Sequence, residues 1–300
     1  MTRTIRAAAA QYPIDEITSF DAFEEKLAQW VQQAAAHGAE LLAFPEYAGM
    51  ELARIAGRTM SSDLHGSIEA LQYYIGHYET AYAELAQRHG VHILAGSAPV
   101  RLTDGRFVNR ARLFGPKGGS GFQQKHVMTR FEAEQWGIGP SSGLCVFDIG
   151  VTKIGVAICY DAEFPLIARA LAEAGAEILL VPSCTESLAG YHRVRHACAA
   201  RALENQIYVV HTPTVGDAPW LAGLESNVGS AAFLAPPDSR LPSDGILAQG
   251  ALNEQQWVYA ALDLDLLAEV RKSGDVFNAR DWALQPGASA LPQAKAVTLR

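Results

Sequence analysis

The chain has 300 residues, 49% hydrophobic and 19% charged, with a formal net charge of −8. That composition supports a large buried core and argues against intrinsic disorder. The acidic balance gives no general attraction to nucleic acid or anionic lipid, and no Lys/Arg run exceeds two residues.

Residues 4–10 read as a short strand of small side chains. A helix is expected over 21–37, with Phe23, Leu27, Trp30, Val31 and Ala34 on one face, Asp21 as its cap and Gly38 as its stop. ELLAFPE at 40–46 is an apolar run of strand length. One long helix is expected over about 67–88, ending at Gly90, and then a buried strand over 91–100. Segments 107–114 and 122–127 form a hairpin around the glycine-rich 115–121, which leads into a second strand and so is a turn, not a phosphate-binding loop.

The second half returns to α/β alternation. TKIGVAIC (152–159) is a strand, and Pro165 opens a helix to about Gly175. A strand over 177–182, a helix over 190–205 and a strand over 206–212 follow. Strands near 228–235 and 255–263 and a short helix near 264–271 complete the pattern. Continuous apolar strands imply sheets covered on both faces, so two packed sheets with outer helices are expected. Residues 1–275 read as a single domain and 276–300 as a C-terminal tail at a surface or subunit interface.

The first residues lack a signal-peptide pattern, and no segment approaches the ~18 uncharged apolar residues of a membrane span. The four cysteines form no C-x-x-C pair, so free thiols, no structural zinc and a cytoplasmic location are expected. Neither a P-loop nor H-E-x-x-H occurs.

Three residues carry chemistry. Cys159 ends an apolar strand just before a helix, where α/β sheets place their sites and where backbone N–H groups favour a thiolate. A buried structural thiol is the bland alternative. Glu46 ends LLAFPE at the same kind of sheet edge; otherwise it is a solvated strand-end charge. Lys125 closes FQQK; by residue type alone it is a surface lysine.

Taken together and in this order, PEY around Glu46, QKH around Lys125 and GVAICYDAEFP around Cys159 resemble the nitrilase superfamily of carbon–nitrogen hydrolases. RFEAEQW (130–136), GAEILLVPS (175–183), RALENQIYVV (201–210) and VGSAAFLAPPD (228–238) extend the resemblance over roughly residues 4–265. It implies an α/β fold, a four-layer αββα sandwich of two mixed β-sheets with outer helices, and a homodimer or higher homo-oligomer. It also implies cofactor-free, metal-free hydrolysis of a small linear amide or carbamoyl compound.

In that reading Cys159 is the nucleophile, Glu46 the general base and acid, and Lys125 with the Tyr160 N–H the oxyanion site. A second glutamate is expected after the lysine. Glu132, in the RFE context, is favoured over Glu134, and an extended or irregular 131–134 would point both to one side. Tyr47, Phe131, Glu134, Cys184 and Thr185 are candidate pocket residues.

Asn109 either holds the loop near Glu46 or makes a hairpin hydrogen bond. Arg201, Glu204 and Asn205 suggest helix-end contacts, and Cys145 and Cys198 structural thiols. His192 and His196 sit one helical turn apart without a third ligand. The rival functions are a nitrilase and a catalytically inactive amide-binding protein. Tyr160-Asp161 after the cysteine resembles amidase and carbamoylase branches, where nitrilases show Trp-Glu.

Overall fold

The structure is a computed structural model that describes residues 3–289 apart from residue 142. Its first half runs β1 (Thr4–Pro13), α1 (Phe20–Ala36), β2 (Leu41–Ala43), α2 (Arg58–Ser61), α3 (Leu64–Leu71), α4 (Ile75–His89), β3 (His92–Arg101), β4 (Phe107–Phe114) and β5 (Ser120–Gln124). The short β6 (Ile138–Gly139) and β7 (Val146–Asp148) lead to β8 (Lys153–Val156), α5 (Pro165–Glu173), β9 (Ile178–Ser183), α6 (Leu188–Asn205) and β10 (Tyr208–Asp217). Then come β11 (Ser226–Asn227), β12 (Ala232–Leu234), β13 (Ile246–Gln249), β14 (Gln256–Asp263), α7 (Leu264–Ser273) and α8 (Asn278–Asp281).

The fold is mixed α/β. Strands pair in the order β5-β4-β3-β2-β1-β10-β9-β8-β7, with β14 on β1 and β12–β13 on β10. The two halves share one hydrogen-bonded path, because β1 and β10 pair in parallel at Tyr12–Thr214 and Pro13–Val215. Two separate sheets were expected; the two-residue join makes them continuous at one corner. β1 explains the layering. Its alternating side chains send Ile5, Ala7 and Ala9 into the core shared with β8–β10, and Ala8, Ala10 and Tyr12 into the core under α1 and α4. Alanine on both faces lets the layers approach closely.

Several element boundaries differ from expectation for local reasons. Ser19, not Asp21, caps α1, its side chain accepting from the Ala22 N–H at 3.2 Å; Asp21 lies in the first turn, where its charge suits the helix dipole. The single helix over 67–88 is two helices. Gln72 sits at the break, its amide donating to Ile68 O at 2.7 Å and Pro99 O at 3.0 Å. The run at 40–46 is a strand only over Leu41–Ala43. The start of the tail packs back on the body: Arg169 donates to Ala279 O at 3.1 Å and its guanidinium lies 4.8 Å from the Trp282 ring. Residues 290–300 lie outside the described residues. Among the described residues, no helix is long and apolar enough to cross a membrane.

Candidate active site

Glu46 reaches the site because β2 stops early. The chain leaves at Pro45, and β3 bulges between Leu94 and Ser97 to receive it. Gly96, at φ +75°, makes the approach possible: a Cβ there would lie 2.0 Å from Pro45 O. Tyr47 then adopts φ 61° and turns the chain into the helical turn Ala48–Ala56.

Lys125 follows β5, held by its N–H on Asn109 O at 2.9 Å. It is 1% exposed, which removes the surface-lysine alternative. Its ammonium donates to Glu46 Oε1 at 2.9 Å and to Glu132 Oε1 and Oε2 at 2.8 and 2.7 Å. The two carboxylates outweigh the burial penalty and hold the Lys125 pKa well above the usual lysine range.

Cys159 sits past the end of β8 at φ 49°, in the left-handed region that a non-glycine residue occupies at a cost. It opens the tight turn Cys159–Glu163, in which the Asp161 N–H bonds to Ile158 O at 3.0 Å. The Tyr160 N–H stands at the start of this turn, where no intrahelical acceptor precedes it. Sγ lies 3.8 Å from Cys184 O and interacts with the Glu46 carboxylate. Burial first, then the Glu46 charge, pushes the thiol pKa well up, although Lys125 opposes this. This direction runs against the expected thiolate character, because the pocket desolvates the sulfur.

Burial raises the Glu46 pKa to about 7, against the lowering effect of Lys125. Its remaining oxygen, Oε2, accepts the Cys184 N–H at 3.0 Å, and Oε1 also accepts from Asn109 Nδ2 at 2.8 Å. Glu132 behaves oppositely. Burial raises its pKa, but Lys125, Tyr47 and Thr129 together bring it below the usual carboxylate value. Tyr47 OH donates to it at 2.5 Å, and the Thr129 N–H and hydroxyl at 2.8 and 2.9 Å. Two carboxylates flanking one lysine thus have pKa values pushed in opposite directions.

Glu134 does not join them. It is 56% exposed on its side chain and pairs with Arg130 at 2.7 Å. The stretch is neither extended nor irregular but a wide helical turn, Glu132–Trp136, so residues two apart diverge in direction. Tyr47, Phe131, Cys184 and Thr185 do line a cavity of about 610 Å³ that also opens onto Cys159 and Lys125. Cys198 is buried as expected, but Cys145 is exposed, on the approach to an edge strand and not in the core. Arg201 and Glu204 form a helix-end pair at 3.0 Å. His192 and His196 stack on each other, and among the described residues no metal-binding group of three ligands occurs.

Sequence reading missed Thr129, the Cys184 backbone N–H and the true part played by Asp161. Asp161 is fully buried and accepts the His126 N–H at 3.1 Å and the Val127 N–H at 2.8 Å, clamping the lysine loop to the cysteine turn. A buried aspartate beside a strand-end cysteine was the one available signal. Asn109 takes the loop-holding option and bridges Glu46 and Glu132, the latter at 3.3 Å.

A family model described as carbon–nitrogen hydrolase matches residues 6–272. The chain belongs to this family, the nitrilase superfamily. It is 33% identical over 277 residues to the Probable hydrolase YhcX of Bacillus subtilis, covering 92% of this chain. The chain spans about half, 53%, of that relative's length. It is 26% identical to an omega-amidase of Xenopus laevis, covering 82% of this chain and 85% of the relative. A crystal structure of a carbon–nitrogen hydrolase from Helicobacter pylori shares the fold at TM-score 0.75 and 22% identity, covering 90% of this chain and 93% of the other.

Proposed function

We propose that this member of the family is a cofactor-independent amidase that cleaves a non-peptide C–N bond of a small linear amide or carbamoyl compound through a Cys159 thioester. The observation that carries the proposal is the contact set of Glu46, which meets the Cys159 thiol, the Lys125 ammonium and the Cys184 N–H with its pKa near 7. Such a carboxylate is poised to accept and return a proton near neutrality.

In this reading Glu46 takes the thiol proton as Sγ bonds to the carbonyl carbon. The ammonium of Lys125 has three N–H donors, and its three bonds to carboxylate oxygens occupy them at rest. Protonation of Glu46 weakens one acceptor and frees that donor for the new oxyanion, which the Tyr160 N–H shares. Glu46 then gives its proton to the nitrogen, the C–N bond breaks, and ammonia or an amine leaves. Water next gives a proton to Glu46 and its hydroxide to the acyl carbon, and the C–S bond breaks as Glu46 returns that proton to the sulfur, restoring the thiol and the free carboxylate. Glu132, anchored by Tyr47 and Thr129, keeps Lys125 in place throughout.

Supporting features extend to the fold. The core shared by residues of β1 and β8–β10, with a second core under α1 and α4, supports the four-layer αββα sandwich. The domain over 1–275, a tail at a subunit interface and a homodimer belong to the same reading. Asp161 acts as a clamp, so the Tyr160-Asp161 pair does not by itself separate amides from nitriles. A panel of aliphatic amides, ureido acids and nitriles scored by ammonia release does. Release from an amide or ureido acid, lost in Cys159→Ala, is the expected result. Turnover of nitriles alone overturns the proposal, and silence on the whole panel favours a binding protein.

A further inference from the structure

We infer that the compound accepted here carries a positive charge, an ammonium or guanidinium, at the end remote from its amide or carbamoyl group. The inference rests on the amidase reading and adds the chemistry of the substrate's other end. At the cavity floor the one cation, Lys125, is held between two carboxylates. At the mouth, among the described residues, Glu163, Glu186 and Glu225 line the wall with a single cation, Arg193. Arg193 is already matched, 3.5 Å from Glu163. Glu186 and Glu225 are exposed and have no ion-pair partner among the described residues.

An anionic tail therefore meets no uncommitted cation along the cavity, and it must compete with Glu163 for Arg193. A cationic tail meets two uncommitted carboxylates. Tyr160 and Phe131 also line the cavity, and aromatic rings attract ammonium and guanidinium groups. The chain's net charge of −8 works in the same direction at long range.

The test compares three amides of equal length: pentanamide, 5-aminopentanamide and glutaric acid monoamide. Calorimetric titration of Cys159→Ala reads binding without chemistry, and wild-type kcat/KM reads turnover. The ammonium compound should exceed the carboxylate compound by about tenfold or more in both. The preference should shrink near 1 M salt, where screening acts over about 3 Å. It should also fall severalfold in a Glu186→Gln/Glu225→Gln double variant, whose melting temperature checks the fold. Turnover of pentanamide with no preference for the ammonium compound overturns this inference and leaves the amidase reading standing. Tighter binding of the carboxylate compound, lost in Arg193→Gln, overturns it in favour of an anion site. Binding of none of the three overturns it as well, while the amidase reading is decided separately by the panel of amides, ureido acids and nitriles.

Discussion

Lys125 and Glu132 are joined by two hydrogen bonds from one ammonium to both carboxylate oxygens, at 2.8 and 2.7 Å. The pair is almost fully buried, and Tyr47 and Thr129 complete the carboxylate's partners. Removing one member strands the other, which is costly in a dry site. Glu132→Gln should lower kcat by about 100-fold or more, the scale of losing one aimed oxyanion donor. Glu134→Gln should stay within about twofold, since Glu134 meets only Arg130 and solvent. Steady-state kinetics of the two variants checks the order, and the reverse ranking removes Glu132 from the lysine's support.

The pH dependence follows from Glu46. The carboxylate form is the base, so kcat/KM should rise with pH through about 7 and level off above it. The stability effect has the opposite sign. A carboxyl whose folded pKa is raised binds its proton more tightly when folded, so stability falls as pH climbs from the ordinary value towards about 7. Glu46→Gln cannot ionise and escapes this loss. Its melting temperature relative to wild type should be more favourable at pH 8 than at pH 5, with turnover abolished at both. A difference independent of pH, or one of opposite sign, contradicts a raised Glu46.

Alkylation should separate exposure from catalysis. Cys145 is exposed, whereas Cys159 is buried with its thiol pushed up. Iodoacetamide should label Cys145 first, without loss of activity, and Cys145→Ser should inactivate at the wild-type rate. Activity should fall only as Cys159 is modified, faster at higher pH because the thiolate is the nucleophile. Peptide mapping against residual activity decides it. Rapid labelling of Cys159 at pH 6 would show a preformed thiolate and contradict the neutral resting thiol.

Asp161 is a positioning residue. Asp161→Ala leaves the His126 and Val127 N–H groups without their acceptor and should cost about 1–3 kcal/mol in stability. It should also lower kcat more than it raises KM, because the loop it releases carries Lys125. Asp161→Asn keeps one carbonyl oxygen and should recover part of both losses. Denaturant melts with parallel kinetics test this; normal kcat in a destabilised Asp161→Ala protein would leave Asp161 a purely structural role.

Much of this protein was legible in its sequence. Strand runs, helix faces and the order Glu46, Lys125, Cys159 follow from side-chain periodicity and from motifs only a few residues long. Those motifs sufficed for the family, and the α/β alternation for the fold class. Tertiary structure alone decided what depends on direction and on distant partners. Lys125 meets Glu46 across 79 residues of chain, so no local pattern could show that the lysine is buried or paired. Glu132 and Glu134 separate because 132–136 coils into a wide turn, a backbone choice that residue type does not dictate. The Cys159 thiol pKa is pushed up, not down, because desolvation depends on everything packed around the sulfur. Composition fixes how many charges the chain has, and the folded chain fixes which of them face each other.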